Sequence, residues 1–373
     1  MIKSLKKIIA QMVAGANVAT ICAMLFTGYA GYISPATSPW LTNAGLVFPV
    51  FLLINLGFLI FWLMVKPLWA LIPFGGMLIC FGPIRTYTPF NVPAAPPEGA
   101  IKVLSYNVWG FGKEKNCDST YTTIRYIADT DADIVCLQEA SAPADVETQL
   151  DSLVYTKYKY RDTLKIGAAG GISILSKFPI LGHEHIPYKS EGNLSGAFRL
   201  DIHGEEVIVI NNHLECTGIS LEERQKFKEM MKGEMNQHSA RQESRRLIDQ
   251  MGESAQIRAP QALAVASYIR KHAYQSIICM GDFNDGPLSY THHTIAKELN
   301  DCYVATANGP GISYHLSGFF VRIDNILCSD DWKPYACKVD NSIQSSDHYP
   351  IVCWLKKQPG PKGNVSSSQR NRQ

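Results

Sequence analysis

Eight polar residues that could bind a metal ion or transfer a proton each lie at, or just after, a short apolar run that is typical of a β-strand. They are Asn107, Glu139, His213, Asp282, Asn284, Asp324, Asp347 and His348. In layered α/β folds, strand ends deliver side chains into a shared crevice, so these residues could form one site. Each of them taken singly is better explained as an Asx turn, a helix cap or a tight turn.

The types of five of these residues suit the activation of water beside a divalent cation. Glu139, an oxygen donor beside Asn107, suits Mg²⁺, with Mn²⁺ as a substitute. Zinc is disfavoured because neither His nor Cys recurs at ligand spacing. His348 is the best general base, since a neutral imidazole accepts a proton near neutral pH. Asp282 and Asn284, one residue apart on an extended segment, would point to the same side, one as an anion and one as a neutral donor.

The elements that must position these residues alternate between strands and helices. Four buried strands are predicted from β-branched and apolar runs, and four further strands are weaker candidates. The buried strands are Ile101–Tyr106, Ile134–Leu137, Val207–Asn211 and Ser276–Met280, and the further candidates are Gly171–Leu175, Ala197–Asp201, Asp324–Cys328 and Ile351–Leu355. Helical patterns cover Thr120–Asp129, Leu221–Gln250 and Gln261–His272. This order predicts an α/β fold in which two stacked mixed β-sheets are flanked by helices, a four-layer α/β/β/α sandwich.

The same blocks, in this order, resemble the endonuclease/exonuclease/phosphatase superfamily, which includes pancreatic deoxyribonuclease, abasic-site endonucleases, neutral sphingomyelinases and inositol polyphosphate phosphatases. The motifs that carry the resemblance are LSYNVWG, IVCLQEA, INNHLE, MGDFND, RIDNIL and SSDHYPI. The resemblance covers a domain of residues 101–355, apart from the helical stretch Thr217–Pro260. It implies a metal-dependent hydrolase of phosphoester bonds.

The resemblance also implies roles for three residues. Asp324 would orient the imidazole of His348, Asp347 would belong to the metal side of the site, and His213 would be a second donor to the phosphate. Abasic-site endonucleases usually have tyrosine in the block that contains His213, whereas deoxyribonucleases and sphingomyelinases have histidine. The histidine therefore favours the latter two branches.

Three apolar segments in residues 1–85 predict a membrane region that precedes this domain. The segments are residues 8–33, 44–65 and 68–84. A cleavable signal peptide is the alternative for the first segment, but the apolar stretch is too long for one and a second span follows. We therefore expect an integral, multi-pass protein of the inner or plasma membrane. Its first segment is expected to be a membrane anchor rather than a signal peptide, and its expected partner is the lipid bilayer.

The orientation of the membrane region follows from its basic residues. Lys3, Lys6 and Lys7 precede the first span and the loop Ser34–Asn43 has no charge, so the positive-inside rule puts the N-terminus in the cytoplasm. Three spans then place the domain on the extracytoplasmic side. The third segment is broken by Pro73, and if it is re-entrant the domain faces the cytoplasm instead.

Two further segments and four cysteines complete the domain plan. Residues 86–100 contain four prolines and predict an extended linker, and residues 356–373 predict a disordered basic tail. In an exported domain four cysteines are disulfide candidates with undetermined pairing, whereas those inside predicted strands are core residues. The candidates are Cys117, Cys216, Cys302 and Cys337.

The charge of the domain bears on its substrate. The chain has 35 basic and 33 acidic residues, but residues 91–355 hold 25 bases and 33 acids, a net charge of −8. A nuclease is expected to present a basic surface to the phosphate backbone. The acidic domain and the membrane spans therefore favour a phosphodiester in a lipid headgroup over nucleic acid. The alternatives are an exported endonuclease or exonuclease, a phosphomonoesterase, and a catalytically inactive binding module, and no protein partner is predicted.

The stretch Leu221–Gln250 is rich in both charge signs, which is typical of a solvated helix pair. It follows His213 closely enough to overhang the crevice. Arg241, Arg245 and Arg246 are therefore candidates for binding the phosphate or an anionic headgroup, although plain solvation explains them as well.

Overall fold

The larger part of the chain is built on two six-stranded sheets that lie face to face in the computed structural model, which describes residues 2–166, 169–316 and 318–359. The strands of the described residues are β1 (Ile101–Asn107), β2 (Ile134–Gln138), β3 (Tyr160–Ile166), β4 (Ala169–Ser176), β5 (Ile180–Ile186), β6 (Leu194–Ile202), β7 (Glu205–His213), β8 (Ser276–Asp282), β9 (Asn300–Asp301), β10 (Asp324–Cys328), β11 (Trp332–Val339) and β12 (Ile351–Lys357). One sheet has the order β11-β12-β1-β2-β4-β3 and the other β5-β6-β7-β8-β10-β9. Both sheets are mixed, because β1 pairs with β2 and β7 with β8 in parallel, whereas their other neighbours are antiparallel.

Helices cover the outer face of each sheet. The helices of the described residues are α1 (Ile2–Gly28), α2 (Phe48–Val65), α3 (Leu71–Ile79), α4 (Phe81–Tyr87), α5 (Thr122–Thr130), α6 (Ala144–Leu153), α7 (Leu221–Met231), α8 (Gln237–Lys271), α9 (Tyr290–Ala296) and α10 (Cys302–Thr306). Helices α5 and α6 pack on the outer face of β1 and β2, and α8 and α9 pack on that of β7 and β8. The predicted four-layer α/β/β/α sandwich is therefore confirmed.

The central strands contain apolar runs that are buried on both faces. In β7, Val207 and Val209 face the core between the sheets, whereas Ile208 and Ile210 face α8. This burial fixes the register of the strand, since a shift by one residue would exchange its two faces. The same register fixes the position of His213, the polar residue at the end of β7.

One predicted boundary is wrong. The helical patterns Leu221–Gln250 and Gln261–His272 predict a break that includes Pro260, but α8 runs without interruption through this residue. Proline costs a helix one backbone hydrogen bond and usually breaks or bends it. Here Ala255, Ala259, Ala262 and Val265 are buried on both sides of the proline, and this packing holds the helix together.

The N-terminal helices only partly follow the predicted spans. Two helical segments, Ser4–Gly28 and Thr42–Val65, are long and apolar enough to cross a membrane. The predicted third span is divided into Pro67–Ile79 and Phe81–Tyr87, which meet at an angle of 64°. Helices α1 and α2 are joined by a buried hydrogen bond of 3.0 Å from Asn17 Nδ2 to Asn55 Oδ1, as is common between apolar helices in lipid.

Residues 29–47, which we call the interspan loop, connect α1 to α2 and pack against the sandwich. A Cβ atom on Gly31 would lie 2.8 Å from the carbonyl oxygen of Ser289, and one on Gly45 would lie 3.0 Å from Leu288. Only glycine permits so close an approach of the two backbones. Leu288 also packs with Met24 of α1, so the membrane region and the sandwich share an apolar contact.

The segment between α4 and β1 is extended and is tied to the sandwich at its start. Arg322 donates a hydrogen bond of 2.6 Å to the carbonyl oxygen of Thr86, and Asn91 donates one of 2.6 Å to that of Ala307. Residues 360–373, most of the predicted tail, lie outside the described residues.

All ten cysteines belong to the described residues and all are free thiols. Cys302 and Cys337, two of the disulfide candidates, are buried near the core between the sheets, whereas Cys117 and Cys216 are exposed. The disulfides considered for an exported domain are therefore not formed in this structure.

Candidate active site

The topology brings the predicted site residues to one end of the sandwich. Asn107, His213 and Asp282 are the last residues of β1, β7 and β8. Strand β10 runs antiparallel to β8, so its first residue, Asp324, pairs with Asp282 across the sheet. Strand β12 runs antiparallel to β1, and His348, which precedes β12, therefore lies at the same end. Residues separated by 241 positions in the chain meet at this edge.

Several site residues have, or directly follow, an unusual backbone conformation that sets the direction of the side chain. Glu139 and Asn284 have positive φ angles of 53° and 51°, which non-glycine residues rarely adopt. Gly281, with φ 132°, precedes Asp282, and a Cβ atom there would lie 2.1 Å from the carbonyl oxygen of Asn212. Such strained positions are retained where the surrounding structure holds them, and they concentrate at functional sites.

His348 and Asp324 form a buried pair. His348 Nδ1 lies 2.8 Å from Asp324 Oδ2, and since a carboxylate can only accept, the proton is on Nδ1. The backbone N–H of Asp324 donates to Ser313 Oγ at 3.0 Å, which holds the main chain at the start of β10. His348 Nε2 is then left to face Asp282 Oδ2 at 3.7 Å. This is the arrangement in which an imidazole can accept a proton through Nε2 while the carboxylate stabilises its charged form.

Asp282 is the centre of a hydrogen-bond network. Its Oδ2 accepts from Asn107 Nδ2 at 3.1 Å and from Asn284 Nδ2 at 3.2 Å, and its Oδ1 accepts from the backbone N–H of Asn284 at 2.8 Å. Asn107 Nδ2 also donates to Glu139 Oε1 at 3.0 Å, so this amide joins two carboxylates. In this arrangement Asn107 presents its N–H group rather than its oxygen to the site, and its role as a metal ligand stays a prediction.

The remaining candidates lie around Glu139. His213 Nε2 is 3.5 Å from Glu139 Oε1 and is buried with no hydrogen-bond partner among the described residues. Asp347 lies on the cavity side, where Arg224 Nη1 approaches its Oδ2 to 3.9 Å. Four carboxylates therefore converge on a small volume that contains few compensating cations.

Burial and these charges shift the pKa values of the site. Burial raises the pKa of the Asp282 carboxyl and His348 lowers it, with a net increase. Burial alone would lower the pKa of His348, but Asp324 and Asp282 raise it above its usual value. Burial lowers the pKa of His213, against the charge of Glu139, so this imidazole is neutral near neutral pH. Burial, with Glu139, also raises the pKa of Asp347 although His348 opposes it.

The donor set fits a hard divalent cation. The candidate ligand atoms are carboxylate oxygens, the carboxylates outnumber the nearby cations, and Asp324 Oδ1 is buried with no hydrogen-bond partner among the described residues. Ligand atoms of Asp282, Asp324 and His348 lie within 4.8 Å of one another, but two of these residues are already bonded to each other. Glu139 and Asp347, which line the open cavity, are therefore better placed to receive an ion.

These residues form the floor of a cavity of about 1070 Å³, which we call the active-site cavity. Its polar end is lined by Glu139, Asp282, Asn284, Tyr314, Asp347 and His348. Asn107, His213 and Asp324 are not among the described residues that line it, but His213 lies beside Glu139, which does. The interspan loop contributes Trp40 and Asn43 to its wall.

Two residues that the sequence analysis did not select also face this cavity. The guanidinium of Arg224, on α7, lies 5.5 Å from the centre of the Tyr314 ring, and Arg224 Nε is held by the carbonyl oxygen of Ile219 at 3.0 Å. The ring of Tyr314 in turn packs edge-on against that of His348 at 5.1 Å. Arg224 lies in the predicted overhanging helix, but its sequence gives no signal that separates it from its neighbours.

The three arginines predicted for the substrate lie elsewhere. Arg246 Nη2 pairs with Glu223 at 2.6 Å, the guanidinium of Arg245 lies 6.0 Å from the centre of the Trp40 ring, and Arg241 is exposed. None of them is among the described residues that line the active-site cavity. A contact between these arginines and phosphate stays a prediction. Arg224 is better placed for such a contact, because it lines the cavity.

Comparisons with known proteins divide the chain in the same way as its structure. Residues 7–87 match a domain of unknown function (DUF8431), and residues 104–348 match the Endonuclease/Exonuclease/phosphatase family. A search among curated proteins finds no match.

Several solved structures are similar to this chain at low sequence identity. A truncated Caenorhabditis elegans TDP2 is 18% identical, with a TM-score of 0.47 over 69% of this chain and 97% of that one. The catalytic domain of human Nocturnin is 14% identical, with a TM-score of 0.49 over 71% and 97%. Sphingomyelinase C from Streptomyces griseocarneus is 17% identical, with a TM-score of 0.46 over 68% and 99%. Likeness at this level concerns the fold and does not identify a substrate.

Proposed function

Because the chain belongs to the endonuclease/exonuclease/phosphatase family, we propose that it is a membrane-anchored, Mg²⁺-dependent phosphodiesterase that hydrolyses the headgroup of a lipid. The observation that carries the proposal is the position of the active-site cavity, whose wall includes Trp40 and Asn43 of the interspan loop. A phosphodiester at the surface of the bilayer would be delivered directly to the catalytic residues.

The charge of the domain supports a lipid rather than a nucleic acid. Residues 91–355 carry a net charge of −8, whereas binding of a nucleic-acid backbone relies on a basic surface. Four of the acidic residues belong to the site itself, and the domain stays acidic without them. Arg224 provides one cation at the site, which can neutralise the single phosphate of a lipid headgroup.

In this proposal Glu139 and Asp347 hold the divalent cation, with Asp282 beside them. When bound, the cation would neutralise charge on the phosphoryl oxygens and, by its own charge, favour the neutral form of His348. His348 Nε2 accepts a proton from the attacking water, and Asp324 stabilises the imidazolium that forms. Asp282 orients the water, and His213 donates to a phosphoryl oxygen.

The reaction exchanges one bond to phosphorus for another. The water oxygen forms a bond to phosphorus as its proton passes to His348, and the bond between phosphorus and the leaving ester oxygen breaks. The leaving oxygen departs with the electron pair and takes a proton from solvent water to become an alcohol, and His348 returns its proton to the solvent. The products are therefore an alcohol and a phosphomonoester.

The contacts of the interspan loop support the proposed topology. Helix α2 leads away from this loop, yet the sandwich packs on the loop through Leu288 and Ser289. The chain must therefore return to the side of the loop within residues 67–87, which favours a crossing by the bent helix pair over a re-entrant segment. With the basic N-terminus in the cytoplasm, the catalytic domain is extracytoplasmic.

Removal of divalent cations is expected to abolish turnover and to lower thermal stability. We would treat the detergent-solubilised full chain with EDTA and restore Mg²⁺ or Mn²⁺, measuring headgroup release from a lipid panel and the melting temperature. Binding of Mg²⁺ to the folded state alone should raise the melting temperature with concentration. Full activity and unchanged stability in EDTA would contradict a cation-dependent site.

The same panel, extended to plasmid DNA and phosphomonoesters, separates the candidate substrates. The proposal requires lipid headgroup release to exceed DNA nicking and release of inorganic phosphate. Rapid nicking of DNA without lipid hydrolysis would identify a nuclease, and release of phosphate alone a phosphomonoesterase. No turnover of any phosphoester, with Mg²⁺ still bound, would favour an inactive binding module.

Replacement of Arg224 by alanine is expected to lower kcat/KM by about 10- to 100-fold, because a charged hydrogen bond to the phosphate is lost. The matched control is Arg270→Ala, which removes an exposed arginine of α8 that pairs with Glu298. Steady-state kinetics with a soluble phosphodiester would measure both variants. Equal kcat/KM values for Arg224→Ala and Arg270→Ala would exclude Arg224 from substrate binding.

A further inference from the structure

The active-site cavity has two chemically different ends. Beyond the polar floor its walls are apolar, and we call this part the apolar chamber. Its walls come from the interspan loop, α7, α8 and the segment before β10, and they include Leu46, Val47, Phe227, Met230, Leu247 and Phe320. The polar and apolar parts belong to one continuous cavity, so a single ligand can occupy both.

Much of the chamber wall is exposed apolar surface. Val47 and Ile248 are each 47% exposed, Phe320 is 60% exposed and Met231 is 70% exposed. Leaving apolar area in contact with water is unfavourable, and contiguous exposed patches of this kind usually mark a binding site. Methionines adapt their shape to a flexible apolar ligand. The wall therefore favours a ligand with a hydrocarbon part.

The size of the cavity exceeds what a phosphate requires. At about 1070 Å³ it lies just above the roughly 300–1,000 Å³ that is typical of small-molecule sites. A phosphate group bound between Glu139, His348 and Arg224 would occupy only the polar end. The chamber then remains for the group that the phosphodiester carries.

The chamber also lies where a lipid chain would enter it. Val47 lines the wall and is followed at once by Phe48, the first residue of α2. The interspan loop follows the first apolar segment, and the second apolar segment begins within it at Thr42, so the loop lies at the level of the bilayer surface. A chain leaving the bilayer beside α2 would meet the chamber before the catalytic residues.

We propose that the apolar chamber binds a hydrocarbon chain of the lipid substrate and that the membrane region, through the interspan loop, therefore takes part in substrate selection. The inference rests on the proposed phosphodiesterase function and adds to it a chain-binding subsite. Selection then depends on the length of the chain attached to the phosphodiester as well as on its headgroup.

The test uses a series of soluble phosphodiesters, alkyl p-nitrophenyl phosphates with methyl, butyl, hexyl and octyl groups, and the full chain in nanodiscs. Hydrolysis releases p-nitrophenol, so kcat/KM can be measured for each ester at monomeric concentration. Each methylene buried from water is worth about fourfold in binding. We expect kcat/KM to rise by about tenfold or more for each two methylenes until the chamber is filled.

A matched pair of variants tests whether the dependence of kcat/KM on chain length arises in the apolar chamber. Ile248 and Ile257 lie on α8 and are both 47% exposed, but only Ile248 is among the residues that line the cavity. Ile248→Trp should reduce the octyl-to-methyl ratio of kcat/KM by at least about tenfold. Ile257→Trp should leave this ratio as in the wild type. Phe320→Ala, at a 60% exposed position, provides a second chamber variant that places no strain on the core.

The possible outcomes distinguish a failure of chain binding in the apolar chamber from a failure of the proposed hydrolysis. If the methyl ester is hydrolysed but kcat/KM does not rise with chain length, the chamber does not bind the chain and the inference is overturned. Equal ratios in Ile248→Trp, Phe320→Ala and Ile257→Trp would overturn it as well. If no ester and no lipid is hydrolysed, the proposed function itself fails.

Discussion

The His348→Ala variant is expected to lose at least about 10³-fold in kcat/KM towards a soluble phosphodiester. General-base catalysis by a positioned side chain typically contributes about 10²- to 10⁴-fold. His348 is buried, its Nδ1 is held by Asp324 at 2.8 Å, and its Nε2 faces the floor of the cavity. Alanine removes the proton acceptor and leaves the Asp324 carboxylate buried without its partner.

A second buried histidine provides the control for this loss. His292 Nε2 lies 3.0 Å from Asp301 Oδ2. His292 is buried and the Asp301 side chain is 9% exposed, but neither residue is among the described residues that line the active-site cavity. His292→Ala should reduce the melting temperature while kcat/KM of the folded protein is retained. Wild-type turnover in His348→Ala, or an equal loss in both variants, would refute the assignment of His348 as the base.

The strands that the sequence predicts are those with both faces buried. β1, β2, β7 and β8 are rich in β-branched and other apolar residues, and the structure places all four in the middle of the sheets. The strands that were missed, β3, β5, β9 and β11, are the four sheet edges. Their sequences, such as YRDTLKI and ILGHEHI, carry charges that suit an exposed edge and hide the apolar pattern.

Residues of the site at the ends of central strands could be predicted from the sequence, whereas features that depend on packing between distant segments could not. Asn107, Glu139 and Asp282 could be found because each stands at the end of a strong strand, and parallel strands bring such ends together. Arg224 and the apolar chamber could not be found in this way. They depend on how α7, α8 and the interspan loop pack on one another, and contacts such as that of Gly31 with Ser289 join distant parts of the chain.

The Asp282→Asn variant is expected to lose about 10²- to 10⁴-fold in kcat although its side chain keeps nearly the same shape. Asp282 accepts three hydrogen bonds from Asn107 and Asn284 and faces His348 Nε2 at 3.7 Å. Asparagine removes the negative charge that orients the water and favours the imidazolium formed during the reaction. It also places an NH₂ group opposite the amides of Asn107 and Asn284, so the water would no longer be held in line with the base.

The dependence of this variant on Mg²⁺ distinguishes two roles for the carboxylate. If Asp282 only helped to hold the cation, a higher Mg²⁺ concentration would restore the wild-type kcat, because the cation site would again be filled. We expect kcat to stay low at saturating Mg²⁺, since the charge beside His348 Nε2 acts on the water as well. Asp301→Asn, which replaces a buried carboxylate paired with His292, is the matched control and should keep the wild-type kcat. Full recovery of Asp282→Asn with Mg²⁺ would move this residue from water activation to cation binding and leave His348 as the only group that activates the water.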